Sequence, residues 1–259
     1  MKIISVVGAR PNFMKIAPFI RAVEEHNQAA GPVVEHILVH TGQHYDDKMS
    51  RAFFDALDIP EADINLGVGS GTHAEQVGQT MIAFEKVLRS ERPDRVVVVG
   101  DVNATLACSV TAKKEWVKCC HIEAGLRSGD MTMPEEINRL VTDRLSDLLL
   151  TPDQLSSENL RREGVPEERI KFVGNIMIDT LEAQRHKAER IDVDSIISRN
   201  RINHRRINYN REPITGGFAV MTMHRPSNVD HPEVLGPLLG FLCEEICTHM
   251  PLLWPMHPR

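Results

Sequence analysis

At 259 residues, 42% hydrophobic and 25% charged, the chain has the composition of a soluble globular protein of one large or two ordinary domains. A formal net charge of −6 disfavours a general nucleic-acid binder, which needs a basic face, but still allows a few arginines and helix N-termini to hold an anion. No stretch approaches the ~18 apolar residues of a membrane span, and the opening MKIISVVGARPN lacks the apolar core and cleavage site of a signal peptide, so the sequence reads as cytoplasmic with no membrane partner.

Residues 2–8 read as a first strand, followed by a tight turn and an amphipathic helix over 13–25 that Pro18 interrupts. The turn holds one glycine, not the spaced three of a dinucleotide fingerprint, so nicotinamide and flavin binding get little support. Arg10 and Lys15 beside this helix start have two readings: cations that join backbone N–H groups around phosphate oxygens, or ordinary solvated residues. A strand over 34–40, the loop TGQH, a helix over 47–57 and a short strand near 64–66 come next. The glycine-rich run 67–72 precedes a helix over 73–90 and serves either as a loop over a site or as a plain connection.

The stretch from Val96 to Arg139 concentrates the chemistry. Consecutive valines make a buried strand of parallel type ending in Gly100-Asp101, so a carboxylate stands where the strand hands over to a helix from Ala104. A strand over 117–122 ends in Glu123 in the same way. A helix opens at Pro134 and carries Glu135 and Arg139 four residues apart on one face. The expectation is that Asp101, Glu123 and Glu135 converge with Arg127 and Arg139 on one rim of a sheet. Three carboxylates in one pocket repel, which calls for at least one to be protonated near neutral pH. The last helix should run on through Leu145 and Leu148, packing on the sheet.

Short strands from Leu149 and over 170–175 flank a helix over 156–163 and complete an α/β, doubly wound parallel sheet in a first domain over 1–180. Residues 181–215, dense in Arg and Asn, read as a helix and a solvated linker; with few aromatics nearby, His204-Arg205-Arg206 reads as connector and not as a nucleic-acid patch. Residues 216–259 start a second domain: a strand over 217–222, a turn carrying His224, a helix over 232–250, and a strand over 252–256 before His257. One β-α-β unit of this size cannot bury a stable core, so the second domain is expected to be truncated. Among the five cysteines, Cys119 and Cys120 point to opposite faces of a strand. Cys243 and Cys247, one helical turn apart, find no second pair of metal-ligand spacing, so buried thiols and no metal site are expected.

GARPNFMK near the start, TGQH at 41–44, GDVNATLA at 100–107, HIEAGLRSGD at 121–130, PEEINRLVTDRLSD at 134–147, GNIMID at 174–179, MHRPSN at 223–228 and MHPR at the end form an ordered set. In that order the set resembles the non-hydrolysing UDP-N-acetylglucosamine 2-epimerases. The resemblance implies a glycosyltransferase-B-like fold of two Rossmann-like domains with the site in the cleft. It implies reversible conversion of UDP-N-acetylglucosamine to UDP-N-acetylmannosamine, by elimination of UDP across C1–C2 to a 2-acetamidoglucal and its readdition.

Carried onto matching positions, the resemblance makes Asp101, Glu123 and Glu135 the acid/base carboxylates, with His224 as their partner from the second domain. It gives the UDP contacts to Arg10, Lys15, Arg139 and His257, and implies a homodimer without cofactor, serving polysaccharide biosynthesis. The run TGQHYDDK departs from the AQHRxMLDQ form, so activation by a second substrate molecule is not implied. The alternatives are a hydrolysing 2-epimerase, a glycosyltransferase of the same fold, or an inactive fragment.

Overall fold

A computed structural model describes residues 1–29, 31–42, 57, 59–200, 217–223 and 225–255. It divides into two compact units, Met1–His186 and Lys187–Arg259.

The first unit is built on seven strands: β1 (Lys2–Val7), β2 (Glu35–His40), β3 (Ile64–Asn65), β4 (Arg95–Val99), β5 (Lys118–Ile122), β6 (Leu148–Thr151) and β7 (Ile170–Phe172). All neighbours pair in parallel, in the order β3-β2-β1-β4-β5-β6-β7. Helices α1 (Arg10–Gln28), α2 (His73–Glu91), α3 (Asn103–Lys114), α4 (Pro134–Leu145) and α5 (Gln154–Arg162) lie between successive strands, and α6 (Ile176–Glu189) follows β7. This is the expected doubly wound α/β sheet. Strand order reverses between β1 and β4, and sheets of this kind bind ligands outside the carboxyl ends at that reversal.

Burial on both faces explains the run of valines. Ile3, Val7, Val97, Val99 and Ile122 pack with Phe13, Ile16 and Ile20 of α1. Ile4, Val6, Val96 and Val98 face the other way, onto Phe84 and Leu88 of α2 and Cys108 and Ala112 of α3. Cys119 and Cys120 fall on opposite faces, and burial pushes both thiols up to about 12, which leaves them unreactive at neutral pH.

Two expectations fail locally. Pro18 does not interrupt α1, which runs through it. Proline's missing N–H leaves the Met14 carbonyl without its helical partner, and the Thr180 hydroxyl of α6 donates to that carbonyl instead. In addition, α4 stops at Leu145, short of Leu148. Asp147 turns the chain there: its N–H donates to the Cys119 carbonyl at 2.7 Å, and its carboxylate accepts from the Cys119 N–H at 2.8 Å. Leu148 consequently enters β6, opposite Cys120.

In the second unit, α7 (Val193–Asn200), β8 (Ala219–Val220), α8 (Pro226–Val229), α9 (Pro232–Phe241) and β9 (Leu252–Leu253) are described, with β8 and β9 parallel. The helix expected to reach residue 250 gives way after Phe241 to a wide π turn over Leu242–Ile246. No side chain of α9 is buried, and Cys243 and Cys247 are exposed where burial was expected, because a sheet of two-residue strands covers too little of this helix. Among the described residues, no helix is long and apolar enough to cross a membrane, and no group of three or more His, Cys, Asp or Glu side chains is placed to hold a metal ion.

Candidate active site

The carboxyl ends of β1, β4 and β5 are stitched together before any site residue appears. The Asn12 carboxamide oxygen accepts from the Gly8 and Ala9 N–H groups, each at 3.1 Å, and its amide donates to the Val99 carbonyl at 3.0 Å. One side chain thus ties the ends of β1 and β4 across the reversal point. Gly100 follows with φ +68. A Cβ there would meet Lys15 Nζ at 3.3 Å, Asn12 Nδ2 at 3.4 Å and Glu123 Oε2 at 3.5 Å, so glycine provides both the turn and the room for these polar groups.

Asp101 comes next. Its Oδ2 accepts from Arg139 Nε at 3.0 Å and Nη2 at 2.6 Å, and its carbonyl accepts from Asn138 Nδ2 at 2.8 Å. Just past the end of the neighbouring strand β5, Glu123 adopts the left-handed region, φ +73, which is uncommon for a residue with a side chain. The N–H groups of Glu123 and Ala124 both donate to the Leu150 carbonyl, at 3.1 and 3.0 Å, and hold it there. Glu123 Oε2 accepts from Lys15 Nζ, an ion pair whose members are 16% and 13% exposed.

Asp101, Glu123, Lys15 and Arg139 are therefore gathered on one rim of the sheet. Glu135 is exposed, and among the described residues its side chain makes no hydrogen bond or ion pair. Glu136 is the buried member, 2% exposed, accepting from the Ser128 and Gly129 N–H groups, each at 3.0 Å, and from Arg139 Nη1 at 2.7 Å. The i, i+3 partner of Arg139 thus takes the place expected of its i, i+4 partner. Arg127 pairs with neither Asp101 nor Glu123: it donates to Asp143 at 2.7 Å and to Glu163 through Nε and Nη2, each at 2.7 Å. Asp101 and Glu123 each stand beside a cation, Arg139 and Lys15, where mutual repulsion was expected.

Arg10 opens α1, but its side chain lies outside the described residues, as do His224 and His257. In the glycine-rich run, Val68 is buried and its N–H donates to the Thr41 carbonyl at 2.8 Å, while Thr72 and Glu75 form a capping box at the start of α2. Val68 and Thr72 thus tie down two points of the run.

Burial by itself raises the Glu136 pKa, but the Ser128 and Gly129 N–H groups and Arg139 more than reverse that and bring it down to about 2. A carboxylate depressed on folding adds stability above its unfolded pKa and loses it as pH falls toward the folded value. The contribution of Glu136 should therefore be complete above about pH 4.5 and lost progressively toward pH 2. Acid titration of folding should be shallower over that window in Glu136→Gln than in the parent; superimposable acid limbs would contradict the assignment.

A rim that sets two carboxylates beside a lysine and an arginine can move a proton and stabilise a departing anion in one place. The family model described as UDP-N-acetylglucosamine 2-epimerase matches residues 26–259. The chain belongs to the UDP-N-acetylglucosamine 2-epimerase family. It is 38% identical over 260 residues to the UDP-N-acetylglucosamine 2-epimerase of Methanocaldococcus jannaschii, covering 100% of this chain and 66% of that protein. Identity is also 38%, over 263 residues, with the UDP-2,3-diacetamido-2,3-dideoxy-D-glucuronate 2-epimerase of Pseudomonas aeruginosa, covering 100% of this chain and 67% of that one. The crystal structure of the M. jannaschii enzyme in complex with UDP-N-acetylglucosamine and UDP superposes with a TM-score of 0.83 at 37% identity, covering 100% of this chain and 67% of the other. The chain thus spans about two thirds of the length of these 2-epimerases.

Reading the 2-epimerase motifs for carboxylates and cations missed Asn12, Glu136, Asn138 and His121. The first three carried a usable signal: each lies inside a motif, ARPN or PEEINR, within two residues of one expected at the site. His121 also lies inside a motif, two residues before Glu123 in HIEAGLRSGD, but a histidine inside a buried strand more often packs than acts.

Proposed function

We propose that the protein interconverts UDP-N-acetylglucosamine and UDP-N-acetylmannosamine without hydrolysis, through elimination of UDP, a 2-acetamidoglucal and readdition of UDP. The observation that supports this reading is the pair of carboxylates, Asp101 and Glu123, at the ends of adjacent strands, each with a cation in contact. The C2 hydrogen of the sugar is only weakly acidic, so its removal has to be coupled to departure of UDP. Positive charge then develops at C1 and negative charge on the diphosphate. Asp101 and Glu123 answer the first and carry the proton; Lys15, Arg139 and the α1 N-terminus with Arg10 answer the second.

Arg139 uses three N–H groups on Asp101 and Glu136, so two of a guanidinium's five remain for phosphate oxygens. Glu135, exposed at the start of α4, is assigned to the sugar side as a third acid/base group, and His224 and His257 to the nucleotide. Catalysis then belongs to residues 1–180, joined by 181–215 to a nucleotide-binding domain that begins at 216. The same family reading supports a cytoplasmic homodimer that supplies polysaccharide biosynthesis.

The equal identity to the Pseudomonas enzyme makes a diacetamido-glucuronate the second candidate sugar. Incubation with UDP-N-acetylglucosamine should yield UDP-N-acetylmannosamine, with the same final mixture reached from either side. Free sugar with stoichiometric UDP would replace this reading by hydrolysis. Turnover of the diacetamido-glucuronate alone would reassign the sugar, and no product from either would overturn the activity for this chain.

A further inference from the structure

The strongest unexplained feature is a buried row of polar groups behind the two carboxylates. His121, on β5, is 0% exposed. Its Nε2 lies 2.8 Å from the Gly100 carbonyl, and its Nδ1 lies 2.6 Å from Asp143 Oδ1. Asp143, 1% exposed, accepts at its other oxygen from the Gly125 N–H at 3.0 Å and from Arg127 Nη1 at 2.7 Å. Burial would raise the Asp143 pKa, but His121 and Arg127 outweigh it and hold the carboxyl below its usual range. The Gly100 carbonyl can only accept, so the ring's Nε2–H donates to it, while Nδ1 faces the Asp143 carboxyl.

The two ends of this row are informative. Gly100 immediately precedes Asp101, and Gly125 follows Glu123 by two residues. Both glycines and Glu123 adopt positive φ, at +68, +82 and +73. The Gly100 N–H also donates to the Ile122 carbonyl at 3.1 Å, so the residue before Asp101 is held at both its donor and its acceptor. The glycines reach this region freely, but at Glu123 such a conformation persists only where the surroundings over-determine it.

We propose that His121 is a positioning residue, setting the placement of Asp101 relative to Glu123 through its hydrogen bond to the Gly100 carbonyl, with Asp143 orienting the ring. This rests on the epimerase reading for its kinetic consequence, but not for its structural one. The two amide replacements separate the ends of the ring: glutamine places its amide near the Nε2 position and keeps a donor for Gly100, whereas asparagine reaches only the Nδ1 side.

In the full chain, His121→Asn should lower kcat about a hundredfold with KM within about threefold, since a misplacement of about 1 Å costs that much. His121→Gln should recover at least about tenfold of the loss, although both variants lose similar thermal stability. Equal losses of rate in both variants, in step with stability, or parental kcat in His121→Asn, would overturn the proposal. Should asparagine at this position prevent folding, Asp143→Asn, which keeps the shape, should lower kcat at least about tenfold at unchanged KM; parental kcat there would overturn it equally. If the parent turns over no nucleotide sugar, the epimerase reading fails, and crystal structures of parent and His121→Gln or His121→Asn still decide the matter. The Gly100-Asp101 peptide should shift in the asparagine variant more than in the glutamine one; an unmoved peptide in both would end the proposal.

Discussion

Asp101→Asn and Glu123→Gln should each lower turnover by about a thousandfold or more, because each removes a group that can take or return a proton while keeping its shape. The carboxamide oxygens of the replacement side chains can still accept from Arg139 and Lys15, so the ring of contacts at the strand ends survives. Both carboxylates reach the surface, with side chains 26% and 16% exposed, so water near them offsets the charge each replacement removes. The stability cost should accordingly stay within about 1–2 kcal/mol. Steady-state kinetics beside denaturant unfolding separates the two effects. Near-parental rates would remove these residues from the proton-transfer step, and loss of rate with equal loss of folded protein would make them structural.

Gly125→Ala should have the largest effect on the fold. A Cβ at this position would lie 2.3 Å from the Ser156 carbonyl oxygen, 2.8 Å from its carbon and 3.1 Å from Leu160 Cγ. The first two are backbone atoms of α5 and cannot swing aside. Gly125 also sits at φ +82, which costs an alanine about 1–2 kcal/mol. Overpacking adds about 1–3 kcal/mol, for a total of about 2–5 kcal/mol. Gly129 makes the control: its φ is +73, but nothing lies within 4 Å of its added Cβ, so Gly129→Ala should lose only the backbone contribution. Urea midpoints of the two variants test the difference, and equal midpoints would mean that α5 is not packed against Gly125 as described. Since Gly125 also donates to Asp143, its alanine variant should lose activity as well as stability.

The parallel sheet was legible because burial on both faces leaves a plain mark, the apolar runs of β1 and β4 separated by helical periodicity. Asp101 and Glu123 were legible for a related reason: polar residues that end such runs have to lie at the carboxyl rim. Helix limits were less visible. Leu148 fits the apolar stripe of α4, and only the hydrogen bonds of Asp147 to Cys119 move it into β6. Pro18 looks like a break until Thr180, far along the chain on α6, supplies the donor that its ring removes.

The choice between Glu135 and Glu136 was beyond periodicity, since both occupy the first turn of α4. Which one turns inward depends on the Ser128 and Gly129 N–H groups, and those are presented by a loop with no repeating pattern. The pairing of Lys15 with Glu123 and of Arg139 with Asp101 depends likewise on contacts between residues 108 and 38 positions apart.

Solvent isotope at C2 tests the central claim most directly. When UDP-N-acetylglucosamine is turned over in deuterium oxide, a proton taken by an exchangeable carboxyl is replaced before readdition. The UDP-N-acetylmannosamine recovered should therefore carry deuterium at C2 and nowhere else on the ring. Product formed with its original hydrogen retained at C2 would contradict proton removal by Asp101 or Glu123, and with it the elimination of UDP.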